Sequence, residues 1–177
     1  MLAVVLWAPW QGPRTPTDVT AGTPPSTSMV TAAPTEVYRP PGFGVSVRIP
    51  PGWTDTGPVN GFEAGRSQPS APRAFVLFSR LRPGPDASPT QLAGMRISFL
   101  AELEAAVDSF TTRTLQGHPA VVLRYRLPDK RGGSVDDTEY DLFVGGTVTV
   151  VVIGEPSPPA DAALVRQIEA SLRVTAP

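Results

Sequence analysis

The sequence predicts an α+β domain, an antiparallel β-sheet with helices packed on both faces in an α/β/α sandwich, and three stretches predict it. In 42–53, Phe43, Val45, Val47 and Ile49 alternate with Gly44, Ser46 and Arg48, the period of a strand buried on one face. In 88–107, helix-starting residues precede an apolar stripe at helical spacing. In 147–153, the valine run Val148 to Ile153 is broken only by Thr149, which calls for cover on both faces of the sheet.

Taken in order, residues 1–10 are apolar but too short to span a membrane, which takes roughly 20 residues. They also lack the basic region that opens a signal peptide. Residues 11–37 are rich in Pro, Thr, Ser and Ala with little charge, so they cannot bury enough surface to offset ordering and are expected to be a disordered linker. An apolar stub, a spacer and then a domain is the layout of an envelope-anchored protein. Residues 1–10 are therefore read as the remnant of a membrane anchor or signal segment, and 38–177 as a single domain.

Pro50 and Pro51 stop the opening strand, since neither donates a ladder hydrogen bond, and Trp53 reaches the edge of the core. A short strand is expected near 62–66, a loop at 68–73 and a strand at 74–81. Ser88, Pro89 and Gln91 make a capping box with proline at the first helical position. The helix 89–107 then presents Leu92, Met95, Phe99, Leu103 and Ala106 to the core, leaving Arg96 off the stripe. A meander follows, with strands at 110–115, 120–127, 137–144 and 147–153 and a Gly145-Gly146 hairpin turn. Pairing apolar with apolar sets Leu127 opposite Thr138, Tyr125 opposite Tyr140, Leu123 opposite Leu142 and Val121 opposite Val144. The other face then brings Arg126 to Glu139 and Arg124 to Asp141. A last helix is expected over 160–172.

The net charge of -1 and the pI near 5.8 give no footing for nucleic acid or an anionic membrane surface. With no cysteine there is no disulfide, thiolate metal site, cysteine nucleophile or lipid-modified cysteine in the chain. His118 is the sole histidine and stands between Gly117 and Pro119, where a turn residue is expected rather than a general base. Asp137, Glu139 and Asp141 share a strand face that could hold Ca²⁺ or Mg²⁺, but the arginines expected opposite satisfy two of them. Arg124 and Arg126 could bind an anion, against the same ion pairs. Trp53 and Phe62 could line a pocket, though such aromatics more often close the edge of a core. No glycine group forms a phosphate-binding fingerprint. Catalytic, cofactor-binding and metal-ligating residues are therefore expected to be none, and no cofactor is implied.

Gly42-Phe43, Val45, Val47, Pro51-Gly52-Trp53, Gly117-x-Pro119-Ala120, Tyr125, Gly145-Gly146 with its valine strand, and Ala170-Ser171-Leu172-Arg173 together resemble the PsbP-like fold. In particular they resemble the LpqN-type secreted lipoproteins of actinobacteria, over residues 38–174. The Gly-Trp-x-x-Thr-Gly at 52–57 also looks like the C-terminal domain of type VII secretion-associated proteins. The resemblance implies a non-enzymatic, extracytoplasmic binding or accessory domain of the cell envelope, secreted or anchored to the outer face of the cytoplasmic membrane through its N-terminus. Its partner would be a protein or envelope ligand, with the domain itself a monomer. A sensor domain of a membrane-anchored kinase, a secretion-associated protein and, least favoured, a small metal-dependent hydrolase are the alternatives.

Overall fold

The computed structural model describes residues 32–70, 74–84, 86–129, 132–157 and 162–175. The expected anchor remnant and most of the expected linker lie outside the described residues. Residues 32–35 have no regular structure, and the first strand, β1 (Glu36–Tyr38), starts inside the stretch expected to be linker.

Three strands form a small sheet in the order β1, β2 (Val45–Ile49), β10 (Arg173–Val174), with β2 antiparallel to both neighbours. The main sheet has seven antiparallel strands. These are β3 (Thr54–Asp55), β4 (Ala64–Ser67), β5 (Phe75–Leu81), β9 (Thr147–Ser157), β8 (Ser134–Val144), β7 (His118–Pro128) and β6 (Ala106–Leu115), in that spatial order. The opening strand is thus outside the main sheet. Pro50 ends it after five residues, and it lies across the sheet instead, held by the Thr149 hydroxyl, which donates to the Phe43 carbonyl at 2.8 Å.

Two helices complete the layers. Helix α1 (Pro89–Glu102) begins with the expected capping box, Gln91 N–H donating to Ser88 Oγ and Ser88 N–H to Gln91 Oε1. It ends five residues earlier than expected. Leu103 caps it, Glu104 takes a left-handed φ of 59°, and Ala106 already belongs to β6. Helix α2 (Ala162–Ser171) is tied to β2 through the Ser171 hydroxyl, which accepts from Arg48 N–H at 2.7 Å.

The valine strand has the two covers it requires. Val148, Val150 and Val152 of β9 pack with Leu92, Ala93 and Leu100 of α1 and with Val121, Leu123 and Tyr125 of β7. Val151 and Ile153 point the other way, into a larger core of Phe43, Val45, Val47 and Ile49 with Leu164, Val165 and Ile168 of α2. The second cover is therefore shared between α2 and the small sheet.

The β7–β8 register differs from the expected one by three residues. Leu127 faces Val135, Tyr125 faces Asp137, Leu123 faces Glu139 and Val121 faces Asp141, while Arg126 faces Asp136 and Arg124 faces Thr138. An odd shift exchanges faces. Tyr140, Leu142 and Val144 enter the larger core with β2 and α2, and the three acids are turned under α1. Matching charges across one ladder misled the register because both faces are buried and the decisive cation comes from a helix.

Candidate functional site

Three features stand out on this fold, two of them ionisable. The first is a column of carboxylates down β8. Asp137 is 5 % exposed and Glu139 and Asp141 are fully buried. Their neighbours across the ladder are Tyr125 and Gly154 beside Asp137, Leu123 and Val152 beside Glu139, and Val121 and Val150 beside Asp141. Arg124 and Arg126 do not reach this column, contrary to expectation. Arg126 Nε donates to Asp136 at 2.6 Å, and Arg124 comes within 3.8 Å of Glu169 of α2.

The column's cation is Arg96, which sequence periodicity placed off the buried stripe. Its Nε and Nη2 donate to the two oxygens of Glu139 at 2.6 and 2.7 Å, a bidentate pair. The signal for it was present: Arg96 stands four residues from both Leu92 and Leu100, in the middle of the row that is buried. The Tyr125 hydroxyl adds a bond to Glu139 Oε2 at 3.1 Å. Burial works against charge on Arg96, but the hydrogen bonds and charge of Glu139, with a smaller share from Asp141, hold it firmly protonated. Burial, then the charges of Glu139 and Asp137, raises Tyr125 well above its ordinary value.

Asp137 and Asp141 have no such relief. No donor among the described residues reaches Oδ1 of Asp137 or either oxygen of Asp141. Burial first, then the charge of Glu139, pushes both well above the usual carboxylate range. Asp136 adds to the rise at Asp137, and Arg96 partly offsets it at Asp141. No group of His, Asp or Glu among the described residues converges to hold a metal ion.

The second feature is a cleft of about 240 Å³ along α2, lined by Arg124, Asp136, Asp137, Glu155, Arg166 and Glu169 among others. It is wide open to solvent, and its walls carry the Arg124–Glu169 pair and the Asp136 that binds Arg126. The third is apolar. Met95 is 60 % exposed and Phe99 39 %, where the stripe expected of α1 had put both in the core. Arg96 draws the helix round so that Leu92, Ala93 and Leu100 point inward, and its guanidinium lies 5.1 Å from the Phe99 ring centre. Phe110 of β6, 49 % exposed, faces Leu123 and so stands on the α1 side of the sheet.

The remaining candidates, His118, Trp53 and Phe62, take the following places. His118 is the first residue of β7 rather than a turn residue, and its Nδ1 lies 3.3 Å from the Phe143 carbonyl. The turn before it is Gln116-Gly117, both with positive φ. Trp53 is part of the larger core and Phe62 packs on the α1-side cluster.

The sequence matches no family model and no curated relative. Similarity appears in structure. Cyanobacterial PsbP (CyanoP) from Synechocystis superposes with a TM-score of 0.61 at 16% identity, over 88% of this chain and 98% of that one. The chain has a PsbP-like fold. A Bacteroides thetaiotaomicron protein matches the PsbP-like domain with a TM-score of 0.54 at 13% identity, over 80% of this chain and 48% of its own. LpqN of Mycobacterium tuberculosis, described as involved in cell envelope biogenesis, gives 0.48 at 16% identity, over 74% and 83%.

Proposed function

We propose that this PsbP-like domain is a non-enzymatic accessory module that works outside the cytoplasm by docking a protein partner along the β6 edge and the adjoining outer face of α1. The observation that carries the reading is β6 itself. It is ten residues long, almost wholly exposed, and stands at the end of the main sheet, where no described strand pairs with its outer side. Proteins usually blunt such an edge, because its unpaired N–H and C=O groups recruit another strand. Here the bulge between Val107 and Ser109 disturbs only its beginning, and Phe110 adds an exposed aromatic anchor beyond it. A partner segment adding as a strand would find backbone partners on β6 and apolar contacts at Phe110.

A catalytic role has less support, because the most perturbed carboxyls, Asp137 and Asp141, are only 5 % and 0 % exposed. The extracytoplasmic placement draws on the apolar 1–10 and the Pro/Thr-rich stretch after it.

The test is site-specific photo-crosslinking in the native host. A cross-linker at Phe110 or Thr112 should capture one discrete partner, and one at exposed Val37 on β1 should not. Phe110→Asp should abolish the adduct formed at Thr112 without altering the melting temperature. Equal labelling at Val37 and Thr112 would remove the docking surface. For the compartment, a reporter that becomes active only outside the cytoplasm, fused after Pro177, should be active; an inactive fusion would overturn the placement.

A further inference from the structure

The carboxylate column holds more acid than the structure can neutralise. Arg96 is the cation that enters it, and both of its bonds go to Glu139. Around the column, α1 brings Arg96, β7 brings Tyr125 with Val121 and Leu123, β9 brings Val150, Val152 and Gly154, and β5 brings the uncharged ring of Phe75 beside Asp137. Asp136 acts on Asp137 from the far face of β8. Asp141 is fully buried with two unpartnered oxygens, and the group beside it, Glu139, is another acceptor. A contact between two carboxyl groups is attractive only with a proton between them. The same proton would turn an unsatisfied acceptor into a donor, a repair open to a group that no N–H among the described residues reaches.

We propose that the column is a proton-binding site, with one proton shared between Asp141 and Glu139 and another held on Asp137, and that these protons keep α1 seated on the sheet. When they leave, one guanidinium faces three buried negative charges. The cheapest escape is to admit water by lifting α1, the element that carries Arg96 onto Glu139, while the Phe75 ring of β5 still lies beside Asp137. The raised carboxyls fit this direction. Stability from such groups is complete below the ordinary aspartate value of 3.8 and is lost as pH rises through their folded values. Each unit of elevation costs a factor of about ten in the folding equilibrium once both values are passed.

The full chain, Asp141→Asn and Asp137→Asn are to be compared between about pH 5 and pH 9. The wild-type protein should show the infrared carbonyl band of a protonated carboxyl at neutral pH, weakened in Asp141→Asn. Its folding equilibrium in urea should fall with pH. Asp141→Asn should be more stable than wild type at the alkaline end by about tenfold or more, with a shallower slope. Amide exchange in α1, corrected for its intrinsic pH dependence, should quicken with pH in wild type and not in Asp141→Asn. Absence of the band in wild type overturns the proposal, and that readout needs no variant to fold. So does an Asp141→Asn slope equal to that of wild type. Stability that falls with pH while α1 exchange stays constant would keep the protons and remove the seating role.

Discussion

At Gly154 the space for the acidic column is fixed by a missing methyl group. A Cβ built there would overlap the Asp137 carboxylate and the edge of the Phe75 ring. Gly154→Ala should therefore cost about 1–3 kcal/mol, as overpacking of a filled site does. Gly94, in α1, is the contrast: nothing lies near its missing Cβ and its φ is not left-handed. Gly94→Ala should stabilise by roughly 0.5–1 kcal/mol through the backbone entropy of the unfolded chain. Urea denaturation of both variants checks the pair, and a neutral Gly154→Ala would mean that Asp137 does not occupy that space. Neither glycine announces its role in the sequence, because the carboxylate that needs Gly154 is brought to it only by the β8–β9 register.

For α1, the two ways of drawing its buried face lead to opposite mutational outcomes. Leu92, Met95 and Phe99 form as good a helical stripe as Leu92, Arg96 and Leu100, and hydropathy favours the first because it counts Arg96 as polar. The acids beneath the helix reverse that preference, since leaving Glu139 buried without Arg96 would cost several kcal/mol, on the order of 3–5. Leu100→Ala should lose about 2–5 kcal/mol and Met95→Ala should stay within about 0.5 kcal/mol of wild type. Thermal unfolding of the two variants decides it, and the reverse order would restore the first stripe. The strands were legible where the chain alternates or runs apolar for five residues or more, by alternation at β2 and by an apolar run at β9. β1, β3 and β10 span two or three residues and have no period to read. The capping box and the Gly145-Gly146 turn, with φ of 57° and 79°, were legible because each is a local steric requirement. The β7–β8 register was not, because it depends on Arg96, which lies 43 residues from its partner Glu139.

Across the molecule, both faces of the main sheet are closed at β9, so neither row of the valine strand tolerates charge. Val150 is 1 % exposed and Val151 not at all. Aspartate at either position should cost more than about 4 kcal/mol, since each loses about 1.5–3 kcal/mol of buried apolar surface and strands a carboxylate. Val150→Asp carries a further penalty, because Val150 stands beside Asp141 and a fourth acid would join the column. Circular dichroism and yield of soluble protein suffice to read the outcome. If one variant folds as well as wild type, the face it belongs to is open.

The small sheet gives the chain a particular order of assembly. From β6 to β9 every strand pairs with the next along the sequence, so that half of the sheet can close through short loops. β2 must instead await β10, with Val45 beside Val174 and Ser46 beside Arg173. Gln116, in the turn between β6 and β7, clasps the same closing segment, its side chain bonding the Leu172 carbonyl and the Val174 N–H, each at 2.9 Å. During synthesis Phe43, Val45, Val47 and Ile49 emerge first among the residues of the larger core, yet they gain their full shelter only when α2 and the strand after it have left the ribosome. For that interval the most apolar strand near the N-terminus is a guest without a host. A chaperone that holds nascent chains would find its natural purchase there, and any premature stop between β9 and β10 would release a chain with that strand still bare.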